Sequence, residues 1–334
     1  MKPVPRTCLV LSLLAACALA PAAQVQAAMF NVGDVFAAIG DNRVRHYSAT
    51  GTLIETLNLG LLLTGADRTT GMAFDAASNL YVTAFDHNTI VRFDKNGSLL
   101  GQFGGPYGVQ PESIVFDKLG NYYVSSVGAS GIKMYSPSGA LLKTVIAGTR
   151  VDWMDLAADQ TTMLYTQEGG AIKRVNVATG TGLTDFATAN EAFALRILPD
   201  GSVLLANGGN VRHYNALGSV IKTYTEPGTS ILFALNLDPD GTSFWTGDIG
   251  NGKIFKIDIA TGALLEEIDT GVPNQQPARA LAGLAIFGEN TQGSGSGAAV
   301  PEPATATLLA LGFAGLLVAR RWRRTGDPAQ ATEP

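Results

Sequence analysis

A unit of about 40 residues recurs through the middle of the chain, and this repeat restricts the possible folds more than any other feature. The clearest copies run from Gly71 to Gly97 and from Ser113 to Gly139. Three runs of the first copy align with three of the second. The runs are Gly-Met-Ala-Phe-Asp with Ser-Ile-Val-Phe-Asp, Asn-Leu-Tyr-Val with Asn-Tyr-Tyr-Val, and Ile-Val-Arg-Phe with Ile-Lys-Met-Tyr. A fixed period of this size is typical of propellers and solenoids.

Six copies of the unit can be counted from a short basic and aromatic run that precedes a glycine. The glycines are Gly51, Gly97, Gly139, Gly180, Gly218 and Gly262. Within a unit, runs rich in Val, Ile, Tyr and Phe alternate with polar residues, and Asn, Asp, Pro and Gly separate the runs. This pattern is typical of four antiparallel strands in a meander. We therefore predict an all-β, six-bladed propeller.

The first unit lacks an innermost strand, because Asp34–Ile39 already matches a second strand. A spare apolar run, Leu281–Phe287, follows the sixth unit and resembles the missing strand. We predict that this last strand completes the first blade and closes the ring, which leaves no open sheet edge between the chain termini.

The repeats resemble those of NHL-type and gluconolactonase-like six-bladed propellers over nearly the whole region from Phe30 to Gly288. The resemblance implies the fold. It leaves the function open, because such propellers include binding modules, lactonases and lyases.

The N-terminus has the pattern of a secretory signal peptide over residues 1–27. Lys2 and Arg6 precede an apolar segment, and Val25-Gln26-Ala27 supplies a small-residue cleavage site. An alternative is a lipoprotein signal, with Cys17 as the lipidated residue. The two cysteines of the chain, Cys8 and Cys17, both lie in this segment, so the exported domain would have no disulfide.

The C-terminus combines a short polar motif, an apolar run over 304–319 and an arginine cluster. The motif and cluster residues are Val300, Pro301, Glu302, Pro303, Arg320, Arg321, Arg323 and Arg324. Together they resemble the PEP-CTERM sorting tail over 300–324, which implies processing by an exosortase in a Gram-negative bacterium. The run of about 16 residues would make roughly 24 Å of helix, a short membrane span, and the arginines favour a cytoplasmic C-terminus. An ordinary membrane anchor is the alternative.

These segments define the predicted organisation: a signal peptide over 1–27, the propeller over 28–290, a Gly/Ser-rich linker over 291–299, the sorting tail, and a polar cytoplasmic end over 325–334. The net charge of −5 disfavours nucleic acid as a partner. The sequence has no G-x-S-x-G elbow, phosphate loop, H-E-x-x-H or Cys-x-x-Cys pattern.

Several acidic residues are expected at one end of the channel, where first strands begin and where second and third strands are joined. They are Glu112, Asp152 and Glu191 at strand starts, and Asp41, Asp86, Glu168 and Asp248 in turns. We expect such carboxylates, without matching cations, to raise one another's pKa unless a metal neutralises them. Oxygen ligands suit Ca²⁺, so Glu112, Asp152, Glu191 and Asp248 are candidate metal ligands. Solvated, separate loop residues are the alternative.

Two enzymatic relatives suggest further candidates. Gluconolactonase-like enzymes carry a glutamate metal ligand at an inner-strand start, and Glu112 in Pro111–Phe116 resembles it. Streptogramin-lyase-like propellers need a histidine base, for which His87 is the candidate. Trp153 is a candidate ligand contact, with burial in the core as the alternative.

The sequence therefore predicts an exported, exosortase-processed propeller without a complete catalytic set. We expect a binding or structural module at the cell envelope or in an exopolysaccharide matrix, with polysaccharide or protein as its partner. The alternative is a metal-dependent lactonase, hydrolase or lyase with a carboxylate site at the channel end.

Overall fold

The computed structural model describes residues 29–272, 280–293 and 295–296. Six four-stranded antiparallel sheets surround a central channel, and in each sheet the first strand is innermost and the fourth outermost. This confirms the predicted all-β, six-bladed propeller. The helix predicted over 304–319 lies outside the described residues. Within the described ranges, no helix is long and apolar enough to cross a membrane.

The strands follow the repeat boundaries, and their order within each blade runs from the innermost strand to the outermost. Blade 1 contains β24 (Gly283–Ile286), β1 (Val35–Gly40), β2 (Arg43–Tyr47) and β3 (Leu53–Asn58). Blade 2 contains β4 (Thr69–Phe74), β5 (Leu80–Ala84), β6 (Thr89–Phe93) and β7 (Leu99–Gln102). Blade 3 contains β8 (Pro111–Phe116), β9 (Tyr122–Ser126), β10 (Gly131–Tyr135) and β11 (Leu141–Ile146).

The second half of the ring has the same order. Blade 4 contains β12 (Met154–Leu156), β13 (Thr162–Tyr165), β14 (Ala171–Asn176) and β15 (Gly182–Thr188). Blade 5 contains β16 (Leu195–Ile197), β17 (Val203–Ala206), β18 (Val211–Tyr214) and β19 (Val220–Tyr224). Blade 6 contains β20 (Leu232–Leu237), β21 (Ser243–Asp248), β22 (Lys253–Asp258) and β23 (Leu264–Asp269). Outside the blades lie a 3₁₀ turn, Leu59–Leu61, and a small pair of strands, β25 (Asn290–Thr291) and β26 (Gly295–Ser296).

The ring closes by pairing the last blade strand with the first. β24 runs antiparallel to β1, with Val35 opposite Ile286 and Ala38 opposite Gly283. The predicted closure by the run after the sixth unit is therefore confirmed. Because the inner edge of β1 is paired in this way, blade 1 has the same four strands as the others.

The two ends of the channel differ in which parts of the repeat they contain. We call the end where the innermost strands begin the mouth, and the end where they finish the exit end. Turns at the exit end repeat one hydrogen-bonding arrangement: Asp75 Oδ1 accepts from the backbone N–H groups of Ala77 and Asn79 at 2.9 and 2.8 Å. Asp117 does the same for Leu119 and Asn121. These side-chain-capped turns explain why Asp and Asn recur in the repeat.

The innermost strands are buried along their length and approach one another closely around the channel. A Cβ atom on Gly283 would lie 1.9 Å from the carbonyl oxygen of Thr70, and one on Gly71 would lie 2.1 Å from that of Glu112. Any side chain at these positions would collide with the neighbouring backbone. The two glycines therefore allow the first three blades to pack tightly at their inner edges.

The segment after β24 folds across the exit end of the channel. Glu289 Oε1 accepts hydrogen bonds from Arg196 Nε at 2.7 Å and from the Leu237 backbone N–H at 2.6 Å. Its Oε2 accepts from Asn236 Nδ2 at 2.8 Å. Arg196 and Asn236 are buried, so Glu289 holds this segment in place through charge-assisted hydrogen bonds inside the ring.

Packing of this segment continues past residue 290, where the sequence suggested that a linker begins. The carbonyl oxygen of Gln292 accepts from Gln160 Nε2 at 3.2 Å, and Gly293 is buried against β8 and β12. We call residues 288–293 the plug, because they cover the exit end of the channel.

We expect Arg196→Met to destabilise the propeller by about 3 kcal/mol, because it leaves the buried carboxylate of Glu289 without its cation. Urea unfolding followed by tryptophan fluorescence would measure the loss. The matched control is Lys253→Met, which removes an ion pair to Glu267 on the surface and should leave the unfolding midpoint unchanged. Equal effects of the two substitutions would contradict the role assigned to the plug.

Candidate functional site

The channel mouth contains a cavity of about 460 Å³ with one charged and one apolar side, which we call the mouth pocket. Its lining comes from the starts of innermost strands and from the turns between second and third strands, as the repeat predicts. The lining residues are Arg68, Thr70, Phe85, Gln110, Glu112, Val127, Arg150, Glu168, Phe193, Ile231, Phe233, Ile249, Ala280 and Ala282. A concave pocket with an apolar wall and a few convergent polar groups is the usual form of a ligand site.

Three carboxyl groups converge on the charged side of the pocket. Glu112 is the second residue of β8, Asp152 precedes β12, and Glu168 lies in the turn between β13 and β14. One oxygen from each residue lies within 4.8 Å of the others. Blades 3 and 4 thus bring together the starts of their innermost strands and the turn between the second and third strands of blade 4 at a single point of the channel wall.

Arg150 neutralises part of this carboxyl cluster. Its Nε donates to both oxygens of Asp152 at 2.8 and 2.9 Å, and its Nη2 lies 2.6 Å from Asp152 Oδ1. The same Nη2 also forms an ion pair with Glu168 Oε2. The pKa of Arg150 is raised, chiefly by the hydrogen bond to Asp152. The guanidinium therefore occupies the position between Asp152 and Glu168 that an external cation would otherwise take.

Glu112 is the member of the cluster that Arg150 does not bind directly in the structure. The residue is 4% exposed, and Oε2 is buried without a hydrogen-bond donor. Burial, followed by the negative charge of Asp152, raises the pKa of Glu112 well above its usual range. The protonated carboxyl can donate to Asp152, which gives the buried group a partner only in its neutral form.

A second charged group lies on the rim of the mouth pocket. Arg68 Nη2 binds Asp86 Oδ1 at 2.5 Å, and its guanidinium lies 4.2 Å from the centre of the Phe85 ring. Asp86 in turn donates its backbone N–H to Asp67 at 2.7 Å. The charges of Arg68 and Asp86 cancel, so this pair lines the pocket without adding to the negative charge of the carboxyl cluster.

His87, the candidate base, has both ring nitrogens in contact with hydrogen-bond acceptors. Nδ1 lies 2.5 Å from Asp67 Oδ2, and Nε2 lies 2.9 Å from the carbonyl oxygen of Thr64. Burial lowers the pKa of His87, but the hydrogen bonds to Asp67 and Thr64 outweigh it, so the pKa is raised. A doubly hydrogen-bonded imidazolium has no free lone pair, and this arrangement does not favour proton abstraction by His87.

The other candidates from the sequence lie outside the carboxyl cluster. Asp248 is fully buried and is bound by backbone groups: Oδ2 accepts from the Ser230 N–H, before β20, at 2.6 Å, and Oδ1 accepts from the Gly250 N–H of its own turn at 2.8 Å. Glu191 is exposed and lies against Gly208. Trp153 is buried with its ring 5.7 Å from that of Phe233, and its Nε1 has no hydrogen-bond partner.

Comparison with known proteins identifies the C-terminal tail and the fold. Residues 299–324 match the PEP-CTERM protein-sorting motif. A comparison with curated proteins found no match. A chain in the crystal structure of a nidogen/laminin complex is similar at a TM-score of 0.62 and 14% identity, covering 76% of this chain and 97% of that one. At this identity the likeness supports the fold and leaves the ligand open.

A chain of Kuenenia stuttgartiensis hydrazine synthase is also similar, at a TM-score of 0.47 and 16% identity, covering 59% of this chain and 66% of that one.

The pKa shift of Glu112 makes the stability of the protein pH-dependent. Because its pKa is higher in the folded state than in the unfolded chain, the folded state loses stability as pH rises from the ordinary glutamate range to the raised value. We expect Glu112→Gln to remove this loss, so that the variant gains stability relative to the original protein as pH rises from 5 to 8.

Urea unfolding of both proteins at each pH, in the presence of a chelator, would measure the difference. Glu191→Gln, at an exposed acid of the same end of the ring, is the matched control and should follow the original protein. Parallel stability curves for Glu112→Gln and the original protein would contradict the assignment.

The PEP-CTERM match at 299–324 and the six four-stranded blades lead to one conclusion: this chain is a six-bladed β-propeller that carries a PEP-CTERM protein-sorting motif and is sorted to the cell envelope.

Proposed function

We propose that the protein is a binding module of the cell envelope and that the mouth pocket holds an uncharged segment of an extracellular polysaccharide. An exosortase would process the tail, and a signal peptide over 1–27 would direct export. The observation that supports binding is the two-sided lining of the pocket, in which Phe193 and Phe233 face Glu112, Arg150 and Glu168. Aromatic and apolar side chains can pack on the C–H face of a sugar ring, while carboxylates and guanidinium groups bind its hydroxyls.

The charge state of the pocket favours a neutral ligand. Arg150 is bound to Asp152 and Glu168, and Arg68 is bound to Asp86. An anionic ligand would have to compete with these carboxylates for the guanidinium groups. A hydroxyl group can instead use the remaining lone pairs of Glu168 without breaking an ion pair, because each carboxylate oxygen accepts more than one hydrogen bond.

We expect Glu168→Gln and Phe193→Ala each to weaken polysaccharide binding by about tenfold, since each removes one charged hydrogen bond or one apolar contact. The measurement is isothermal titration of the full chain in detergent with envelope polysaccharide fragments, selected first on a glycan array.

Glu191→Gln, outside the pocket at the same end of the ring, should bind as the original protein does. Binding that is unaffected by both pocket substitutions would contradict the proposal, and so would binding that is lost equally in the control.

The second candidate function is a cation-dependent hydrolase or lactonase that uses the carboxyl cluster. The specific observation in its favour is the convergence of three carboxyl oxygens within 4.8 Å, a spacing that one Ca²⁺ with ligands at about 2.3 to 2.6 Å can bridge. Glu112, Asp152 and Glu168 fit such an ion by ligand type and spacing. Loading would require Glu112 to lose its proton and Arg150 to move away from Asp152.

Calcium should raise the melting temperature of the full chain if it binds the cluster, because an ion that binds only the folded state stabilises it by RT ln(1 + [Ca²⁺]/Kd). Under this second function the shift would disappear in Glu112→Gln and persist in Glu191→Gln, and a lactone substrate would be turned over only with the ion present. No shift with calcium at pH 8 would rule out this second function.

A further inference from the structure

We propose that the exit face of the propeller lies against the lipid bilayer, so that the mouth pocket points away from the membrane. The exit face consists of the turns at the exit end and the first residues of the outermost strands. This inference rests on the membrane span expected over 304–319 and applies to the protein before an exosortase processes the tail. It goes beyond the binding function, because it assigns a partner to the face opposite the pocket.

The chain leaves the ring at its exit end. The plug crosses the exit end, where Glu289 is bound to Arg196 and Asn290 Nδ2 lies 3.4 Å from the carbonyl oxygen of Pro239. Gln160 then holds the carbonyl oxygen of Gln292 at 3.2 Å. The described part of the chain thus ends at the exit face, ahead of the sorting motif in the sequence.

Only a short length of chain separates that point from the apolar run. Ser296 is the last described residue, and the run begins at Ala304. Eight residues span at most about 28 Å even when fully extended. The exit face therefore cannot move farther than this from a bilayer that holds the run, whereas the mouth pocket lies on the opposite side of the ring.

Exposed apolar side chains are distributed unevenly between the two faces over the described residues. The second residue of the outermost strand is an exposed apolar residue in every blade, and these residues are Ile54, Leu100, Leu142, Leu183, Ile221 and Leu265. The turn tips of the same face carry Leu119 and Leu217, which are 81% and 89% exposed. Among the described large hydrophobic side chains that are exposed, only Leu61, Leu62 and Val109 lie at the mouth.

The charges of the exit face indicate which lipid it would contact. Its turns contain exposed lysines, Lys95 and Lys118, and exposed aspartates, Asp159 and Asp200, so it has no strong positive potential. An anionic surface would gain little from such a face. We therefore infer contact through apolar side chains with a zwitterionic lipid surface, and not electrostatic attraction to an anionic one.

The test places a fluorophore at matched exposed leucines on the two faces. In a full chain with Cys8→Ser and Cys17→Ser, the substitutions Leu217→Cys and Leu119→Cys label the exit face. Leu61→Cys, at a residue 72% exposed, labels the mouth end as a control. Each labelled protein is reconstituted into phosphatidylcholine vesicles that contain a brominated lipid, which quenches fluorophores near the bilayer.

We expect severalfold stronger quenching at positions 217 and 119 than at position 61, and weaker quenching when part of the phosphatidylcholine is replaced by phosphatidylglycerol. Equal quenching at the three positions, with the protein still floating with the vesicles, would overturn contact of the exit face while leaving insertion of the tail intact. Failure to float would overturn the insertion and this inference with it, and would leave ligand binding at the mouth pocket to its own test. Sedimentation would show whether the protein forms a dimer. If the labels on the exit face are shielded only in that dimer, the face binds a second copy of the chain, and contact with lipid would be overturned.

Discussion

The pairing of β24 with β1 is the interaction on which the rest of the structure depends. Four residue pairs, from Val35 with Ile286 to Ala38 with Gly283, join the two ends of the folded chain inside one blade. The same pairing determines where the chain goes next. Because β24 is an innermost strand that finishes at the exit end, the residues that follow it emerge at the channel axis, where they form the plug. Closure, channel blockage and the position at which the chain leaves the ring are therefore consequences of one register.

Buried charges occur at both ends of the channel, and the number of their partners distinguishes a structural role from a candidate site. At the exit end, Glu289 accepts from Arg196, Asn236 and a backbone N–H, so its lone pairs are used within the protein. At the mouth, Glu112 is buried more deeply than Glu289 and has a buried oxygen without a donor. Burying a carboxyl without a donor is unfavourable unless the group keeps its proton or gains a ligand. Glu112 at the mouth therefore still has an oxygen that can bind a ligand, whereas the oxygens of Glu289 at the exit end are already bound within the protein.

The features that the sequence predicted correctly are those that depend on local pattern. The six turn glycines all have positive φ, between 73° at Gly180 and 89° at Gly139, because a tight turn at that point of each repeat excludes most side chains. The spare strand Leu281–Phe287 was identifiable because the first unit lacked its counterpart. The turn glycine recurs in every blade, so each copy of the repeat supports the strand assignment made for the other copies.

The composition of the candidate site depended on side-chain geometry that no local pattern records. The sequence placed seven acids near the mouth and predicted no matching cations, but Arg150 and Arg68 supply them. The position of Arg150 two residues before Asp152 was the available signal. Asp248 was indistinguishable from a ligand by type and position, yet its oxygens accept hydrogen bonds from the backbone N–H of Ser230, before β20, and from that of Gly250 in its own turn. Contacts such as Arg196 with Glu289 span 93 residues and follow from closure of the ring.

The outermost strands explain why exposed apolar residues at the exit face need not lead to strand pairing between molecules. In four blades the apolar pair is followed at once by a charged residue, and these residues are Glu55, Lys143, Lys222 and Glu266. Charged side chains on an edge strand oppose the addition of another strand. Lys143 and Lys222 also donate to carbonyl oxygens of the next blade, at Val177 and Ile259, which ties the charge to the ring. In these four blades the edge is thus protected by the third residue of the strand, while the first two remain free to contact an apolar surface. A fluid lipid surface requires no strand register, so it can be contacted by six separate apolar positions around a ring.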